Sequence, residues 1–359
     1  MAKGTLAIKW SPTPAAFRDL HAAAALHEIH PSFNAIVSPF LTATGIRQLT
    51  LAADTDIKVV NATVHKVFRS GSSDVVITVD DSFLDTGTIQ AGKDYYVYVC
   101  DNEDGTCTIL GSLASTYPAG YTADSSRKIS GFHTLCVSVG TVSGHPLTGY
   151  VAGDILPQSV WCLNHRSEGQ QEGHVYDPSA HFWCGIYLPS GTGSTTASVY
   201  GGTITDTRTY FEHVDDLAAV GDTLLDENIF QSVSAGSNEE TNITGSADPV
   251  TTGGHVDTAG RRMISNIGVE DCCGAKWQWT STPSARLDDG TAGIYVDLPG
   301  GKGSFYTYGT NGYGNTRLLA GGAWNNGTNC GSRSRNANNY PWGAGSNVAG
   351  RGCARSRRT

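Results

Sequence analysis

Nine cysteines, a group of histidines and two adjacent acid pairs are the residues in which chemistry would first be sought. The cysteines are Cys100, Cys107, Cys136, Cys162, Cys184, Cys272, Cys273, Cys330 and Cys353. Their number is odd, their spacing is irregular and no C-x-x-C pair occurs, which argues against a zinc site and against a disulfide framework. They read instead as buried thiols packing as small hydrophobes. Cys272 and Cys273 are adjacent, which suits neither a two-thiolate metal site nor unstrained disulfide geometry. His21, His27 and His30 fall in one predicted helix, but that spacing does not place all three on one face. Asp215–Asp216 and Asp288–Asp289 read as solvated positions on a helix and in a turn. The run CDNEDGTC offers calcium-type oxygen donors, yet a hairpin turn between two short strands explains it more simply. There is no Gly-x-Ser-x-Gly elbow, phosphate loop or His-Glu-x-x-His pair. The expectation is a protein without catalysis, cofactor or metal.

The elements that would position any functional surface are mostly strands and turns. Gly makes up 44 of 359 residues and charged residues only 16 %. Gly, Ser and Thr scattered among Val, Tyr and Trp favour a turn-dense, β-rich chain. Hydrophobic residues at 39 % are enough to build cores, which excludes wholesale disorder. No stretch approaches the ~18 consecutive apolar residues of a membrane span. The opening MAKGTLAIKWSPTP has no apolar segment of the secretory kind, so assembly in the cytoplasm is expected.

Residues 12–30 predict a helix, with Pro14 near its start and Phe17, Leu20, Ala24, Leu26 and Ile29 as an apolar stripe. From Leu49 to Val160 the runs DIKVVNATVHKVF, DVVITV, DYYVYVC, TCTIL and HTLCVSVG predict strands separated by Gly, Asp, Asn and Ser turns. From about Phe182 the texture changes. Two amphipathic helices are predicted around Gly221: one carries Phe211, Val214, Leu217 and Ala218, and the other is N-capped by Asp226 ahead of Ile229, Phe230 and Val233. The polar run from Ser237 to Gly260 predicts a long exposed loop. Short strands with Gly-aromatic pairs follow, such as KWQWTS and YPWGAG.

Charge and asparagine single out the tail. The formal net charge is -9, yet no acid follows Asp297 while Lys302 and seven arginines do. A basic terminal segment is a nucleic-acid signal, but the rest of the chain is acidic and would repel a polyanion, so nucleic acid is not expected as a partner. The arginines read as donors tying loops to backbone carbonyls. From Asn311 onward there are nine asparagines, against eight in the preceding 310 residues. They sit in clusters between runs of structural residue types: LLAGGAW, CGSRSR, YPW and GRGCAR.

Three stretches carry a resemblance to a known family. They are Ala91 to Thr134, with AGKDYYVYVCDNEDG and YPAGYTADSSRKISGFHT; AVGDTLLDENIFQSVSAG leading to GAKWQWTS; and the tail GGAWNNGTNCGSRSRNANNYPWGAGSNVAGRGCAR. Together they resemble the variable proteins of diversity-generating retroelements, the phage tropism determinants among them. The resemblance implies an α+β, β-rich fold. Residues 1–45 would be an N-terminal segment for attachment or oligomerisation. Residues 46–160 would form a β-sandwich-like domain, and residues 161–359 a C-type-lectin-like domain of the formylglycine-generating-enzyme type. The variable region would span about 317–352. Its matching positions are Ala323, Asn325, Asn326, Asn329, Asn336, Asn338, Asn339, Gly343, Gly345 and Asn347. Trp324, Arg333, Arg335, Pro341, Trp342 and Arg351 would be the fixed scaffold. The implied protein is a homotrimer on a virion tail tip or cell surface that binds a protein or glycan receptor, without inserting into membranes.

Three rivals share parts of this pattern. A formylglycine-generating-type oxidase would need two cysteines five residues apart after the Gly-Gly pair, and a gapless register puts Asn326 and Gly331 there. A calcium-dependent lectin would need carboxylates, and the tail has none. A non-diversified lectin-like adhesin or tail structural protein would differ only in whether the asparagine cluster varies.

Overall fold

The computed structural model describes residues 5–6, 33–60, 65–286, 293–307 and 314–357. The helix predicted over 12–30, with its three histidines, and the Asp288–Asp289 pair lie outside the described residues.

The alternating and β-branched runs pair as strands. Asp94–Asp101 (β1), Cys107–Ser112 (β2) and Ser126–His133 (β3) form the antiparallel centre of a five-stranded sheet, with Thr5–Leu6 and Trp161–Cys162 at its edges. CDNEDGTC is the hairpin between β1 and β2. Glu103 and Gly105 take left-handed backbone there, and the Asp101 and Asp104 carboxylates accept the Glu103 and Thr106 amides at 2.9 Å each. Two three-stranded sheets flank this one, and a single apolar core running from Phe40 to Cys162 lies between them.

HTLCVSVG departs from its prediction. The strand lies earlier, ending at His133. Beyond it Leu135 pairs locally with Asp154 and Gly153, while Leu135, Cys136 and Val139 bury in a second core with Val175, Ile186 and Phe230. Their apolar character answers to that burial rather than to a ladder.

The C-terminal half contains both described α-helices, Tyr210–Ala218 (α1) and Glu227–Val233 (α2). Thr209 and Glu212 close a capping box on α1, and Asp226 Oδ1 accepts the Ile229 amide at 2.8 Å on α2. Gly221, between them, has a φ of 84°. The buried side of α1 is His213, Asp216 and Leu217, with Tyr210 and Val214 packed beside it. Phe211 and Ala218 face outward, and Phe211 is 53 % exposed. Asp216, expected to be solvated, is buried against Arg208 Nε at 2.8 Å and the Gly193 amide.

Six strands make the sheet that carries the tail: Trp277–Arg286 (β4), Tyr295–Asp297 (β5), Ser304–Tyr306 (β6), Gly314–Ala320 (β7), Arg335–Asn339 (β8) and Val348–Ala349 (β9), in the order β5-β6-β8-β7-β4-β9. A four-stranded sheet beside it includes Gly352–Arg355. The segment 237–260, expected to be an exposed loop, is exposed over 244–247 and 258–260 but packs in at other points. Asn238, Asn242, Thr252 and Asp257 are buried, and their side chains satisfy neighbouring backbone where strands do not. The two halves meet through His133, whose ring bridges Asp94 Oδ1 at 2.9 Å and Tyr187 Oη at 3.0 Å.

Candidate functional site

The tail folds around a set of buried charged and polar side chains. Arg351 is 0 % exposed. Its guanidinium donates to Gln278 Oε1 (2.8 Å) and to the carbonyls of Gly185 (2.8 Å), Ile186 (2.9 Å) and Glu270 (2.7 Å). These partners come from three separate segments, so one side chain ties them together. Arg335, at the start of β8, forms a two-point pair with Glu227 of α2 and lies over the Phe230 ring at 4.8 Å. Glu239 accepts from the amide and hydroxyl of Ser332 and from Lys302. Lys276 is also 0 % exposed, paired with Asp206 (2.7 Å) and Asp248 and donating to the Ser346 carbonyl (2.5 Å). Sequence reading missed Lys276, Glu227, Glu239 and Gln278. Their partners lie tens of residues away, and no local pattern marks them.

Between these anchors run two loops and one strand. The first loop, 323–330, closes partly through side chains. Asn326 Oδ1 accepts the Ala323 amide at 2.8 Å, and its Nδ2 donates to Tyr295 Oη at 3.0 Å. Ser304 Oγ donates to Asn329 Oδ1 at 3.0 Å, and Asn242 Nδ2 to the Trp324 carbonyl. On β8, Arg335 and Ala337 are buried while Asn336 and Asn338, on the other face, are half-buried. Asn336 Oδ1 accepts the Asn338 amide at 2.9 Å.

The second loop, 340–347, is held through its backbone. The carbonyls of Pro341, Gly345 and Asn347 accept from the amides of Tyr210 (2.9 Å), Thr207 (3.2 Å) and Trp277 (2.8 Å), and Ser346 O accepts from Lys276. YPWG forms a β-turn, with the Gly343 amide donating to Tyr340 O at 2.9 Å. Pro second and Gly fourth are the residues a type I turn favours. Gly343 and Gly345 have no left-handed φ, and a side chain there would meet only Tyr340 O at 3.2 Å or the Asn347 side-chain oxygen at 2.9 Å. The frame glycines differ. Gly321 and Gly322 have φ of 92° and 87°, and an added Cβ would meet Cys272 O at 2.2 Å or Cys330 Sγ at 2.7 Å.

The structure therefore sorts the expected residues anew. Asn325 and Gly343 are exposed, and Asn326, Asn329, Asn336, Asn338, Asn339, Gly345 and Asn347 are half-buried. Ala323 is 0 % exposed, with its carbonyl taken by Cys330 Sγ, so it is a frame residue rather than part of the surface. Among the scaffold residues, Arg335, Pro341 and Arg351 are buried, and Trp324 packs half-buried against two core clusters. Arg333 is exposed. Trp342 is 64 % exposed and stacks on Tyr340 at 4.7 Å between centroids and 8° between planes. Trp342 faces out from the third position of the turn, and Arg333 faces out although its own amide is held by Lys302 O at 3.1 Å.

The surface offers neutral amides, aromatic rings and the exposed Arg333. Burial pushes the thiols of Cys330 and Cys353 each up to about 12, so they remain protonated and pack as hydrophobes. All nine cysteines are free and buried. Among the described residues no group of three His, Cys, Asp or Glu side chains could hold a metal ion, and no helix is long and apolar enough to cross a membrane.

Residues 39–162 match the family model described as Mtd second domain. The tail fiber receptor-binding protein of Bordetella phage BPP-1 is 25 % identical over 276 residues, covering 70 % of this chain and 68 % of that protein. The solved structure of the Major Tropism Determinant U1 variant superposes with a TM-score of 0.71 at 25 % identity, over 93 % of this chain and 88 % of the other. The M1 variant shares the fold, with a TM-score of 0.71. The C-terminal half thus has the C-type-lectin-like architecture that these proteins share.

Proposed function

We infer that this chain, a phage tropism-determinant-like protein, is a receptor-binding protein whose C-terminal face meets the target. The observation that carries the reading is the way the 340–347 loop is held. Its fold rests on carbonyls and on distant buried partners, so its outward side chains are free to be chosen for binding. The finer reading is that a retroelement diversifies this face. Asn325, Asn338, Asn339, Gly343, Gly345 and Asn347 are the positions whose exchange leaves the side-chain bonds described above intact. Asn326, Asn329 and Asn336 take part in them and would vary at a cost to the fold.

In this reading the 46–160 region is the body, residues 1–45 attach or oligomerise, and the protein sits at a virion tail tip as a homotrimer. An asparagine-rich face binds weakly per copy, and three copies would gain by avidity. Exchange to Tyr or Arg would supply hot-spot chemistry.

Amplicon sequencing of the codons for 311–359 and the region downstream, across a growing phage population, tests the diversification. The expected result is substitutions concentrated at the free positions, with a near-identical repeat nearby. An invariant tail with no repeat would leave a fixed adhesin.

A further inference from the structure

One feature of the face is not absorbed by variation. Trp342 belongs to the turn and not to the asparagine set, yet it is by far the most exposed of the described tryptophans. Trp161, Trp183, Trp277 and Trp279 are all buried. One face of its indole is covered by the near-parallel Tyr340 ring, which leaves the other free. The platform is ordered before any ligand arrives. Buried Pro341 sits between the two aromatics, its carbonyl is held by Tyr210, and the Gly343 amide closes the turn. The strand leading into it carries two half-buried carboxamides, Asn338 and Asn339, and Asn347 lies in the same loop. No carboxylate follows Asp297 in the chain.

We propose that the Tyr340–Trp342 stack is a fixed anchoring subsite for the C–H face of a neutral hexopyranose, with the surrounding amides reading its hydroxyls. The inference rests on the receptor-binding reading and names the ligand class. A flat, pre-ordered ring with one open face suits the apolar face of a sugar, which is itself flat and ringed by hydroxyls. Carboxamides donate and accept to neutral hydroxyls, whereas an acidic sugar would call for a guanidinium at the platform. Among the described residues the tail guanidiniums that lie over rings are Arg335, on Phe230, and Arg317, on Tyr210 at 5.0 Å, and neither covers the Tyr340–Trp342 stack. Variation around the subsite would then change which glycan is chosen while the stacking contribution stays constant.

The test is full-length protein on a printed array of neutral hexose-containing polysaccharides and their acidic counterparts, wild type beside Trp342→Ala and Trp342→Phe. The expected result is binding to neutral glycans, at least tenfold weaker in Trp342→Ala, largely kept in Trp342→Phe, with unchanged melting in both. No array binding, binding confined to acidic glycans, or binding indifferent to Trp342→Ala would overturn the proposal. A second measurement separates it from the reading beneath it: competition of purified protein with virions for adsorption to cells treated with periodate or protease. Loss of competition on periodate treatment supports the sugar. Loss on protease treatment alone overturns it while leaving a receptor-binding protein. Absence of competition on untreated cells overturns the receptor-binding reading itself.

Discussion

The loops 323–330 and 340–347 lie on the same sheet and both carry Asn and Gly, yet they are built in opposite ways. The first spends its side chains on itself: Asn326 bridges Ala323 and Tyr295, and Asn329 accepts from Ser304. The second is pinned by Tyr210, Thr207, Lys276 and Trp277 through carbonyls that any residue would supply. Composition alone is a poor guide to which residues on a binding face can change. What decides is whether the loop's hydrogen bonds end on side chains or on backbone.

The contrast can be broken most forcefully at the frame. Arg351→Ala removes the donor held by Gln278 Oε1 and by the carbonyls of Glu270, Gly185 and Ile186, of which Ile186 keeps the Glu270 amide, and each orphaned buried acceptor costs about 1–3 kcal/mol. Thermal unfolding is expected to show a loss of roughly 4 kcal/mol or more, or no soluble protein.

Acid offers a gentler handle on the same frame. Burial lowers His213 to about 4, against an ordinary 6.5, because the folded state resists its charge. The unfolded chain therefore binds the extra proton first. Stability present above pH 6.5 is lost as pH falls from 6.5 towards 4, by up to about 3 kcal/mol. Urea melts across that range check the slope, and His213→Phe should flatten it.

The side-chain loop comes next. Asn326→Ala removes two hydrogen bonds and should cost about 1–2 kcal/mol in urea unfolding. The smallest effect is expected in the backbone-held loop. Gly343→Ser and Asn347→Ala, each measured in the same way, should fall within about 0.5 kcal/mol of wild type. A cost at Asn347 as large as at Asn326 would erase the distinction between the loops.

Much of the β-rich fold was legible in the sequence, because alternation, turn residues and helix caps are local signals. Asp226 and the CDNEDGTC hairpin show this, each acting within a few residues of itself. The departures share a cause, in that long-range packing supplies what local patterns cannot reveal. HTLCVSVG is apolar because it buries in the second core, and Asn238, Asn242, Thr252 and Asp257 of the polar 237–260 run are buried because their side chains replace a ladder. At the face, the clustering of asparagines marked the region. The division between Asn326, which builds its loop, and Asn325, which is exposed, depends on Tyr295 some thirty residues earlier. Trp342 is expected in the fixed frame, and only the turn's position reveals that its ring faces out.

The most direct test of the central claim is one variant carrying Asn325→Tyr, Gly343→Ser, Gly345→Ser and Asn347→Tyr, measured for melting and for competition with virions at the cell surface. The account predicts a melting temperature within about 2 °C of wild type, as a change below about 1 kcal/mol implies for a domain of this size, together with a clear change in adsorption. Loss of the folded protein, or a folded protein with unaltered adsorption, would contradict it.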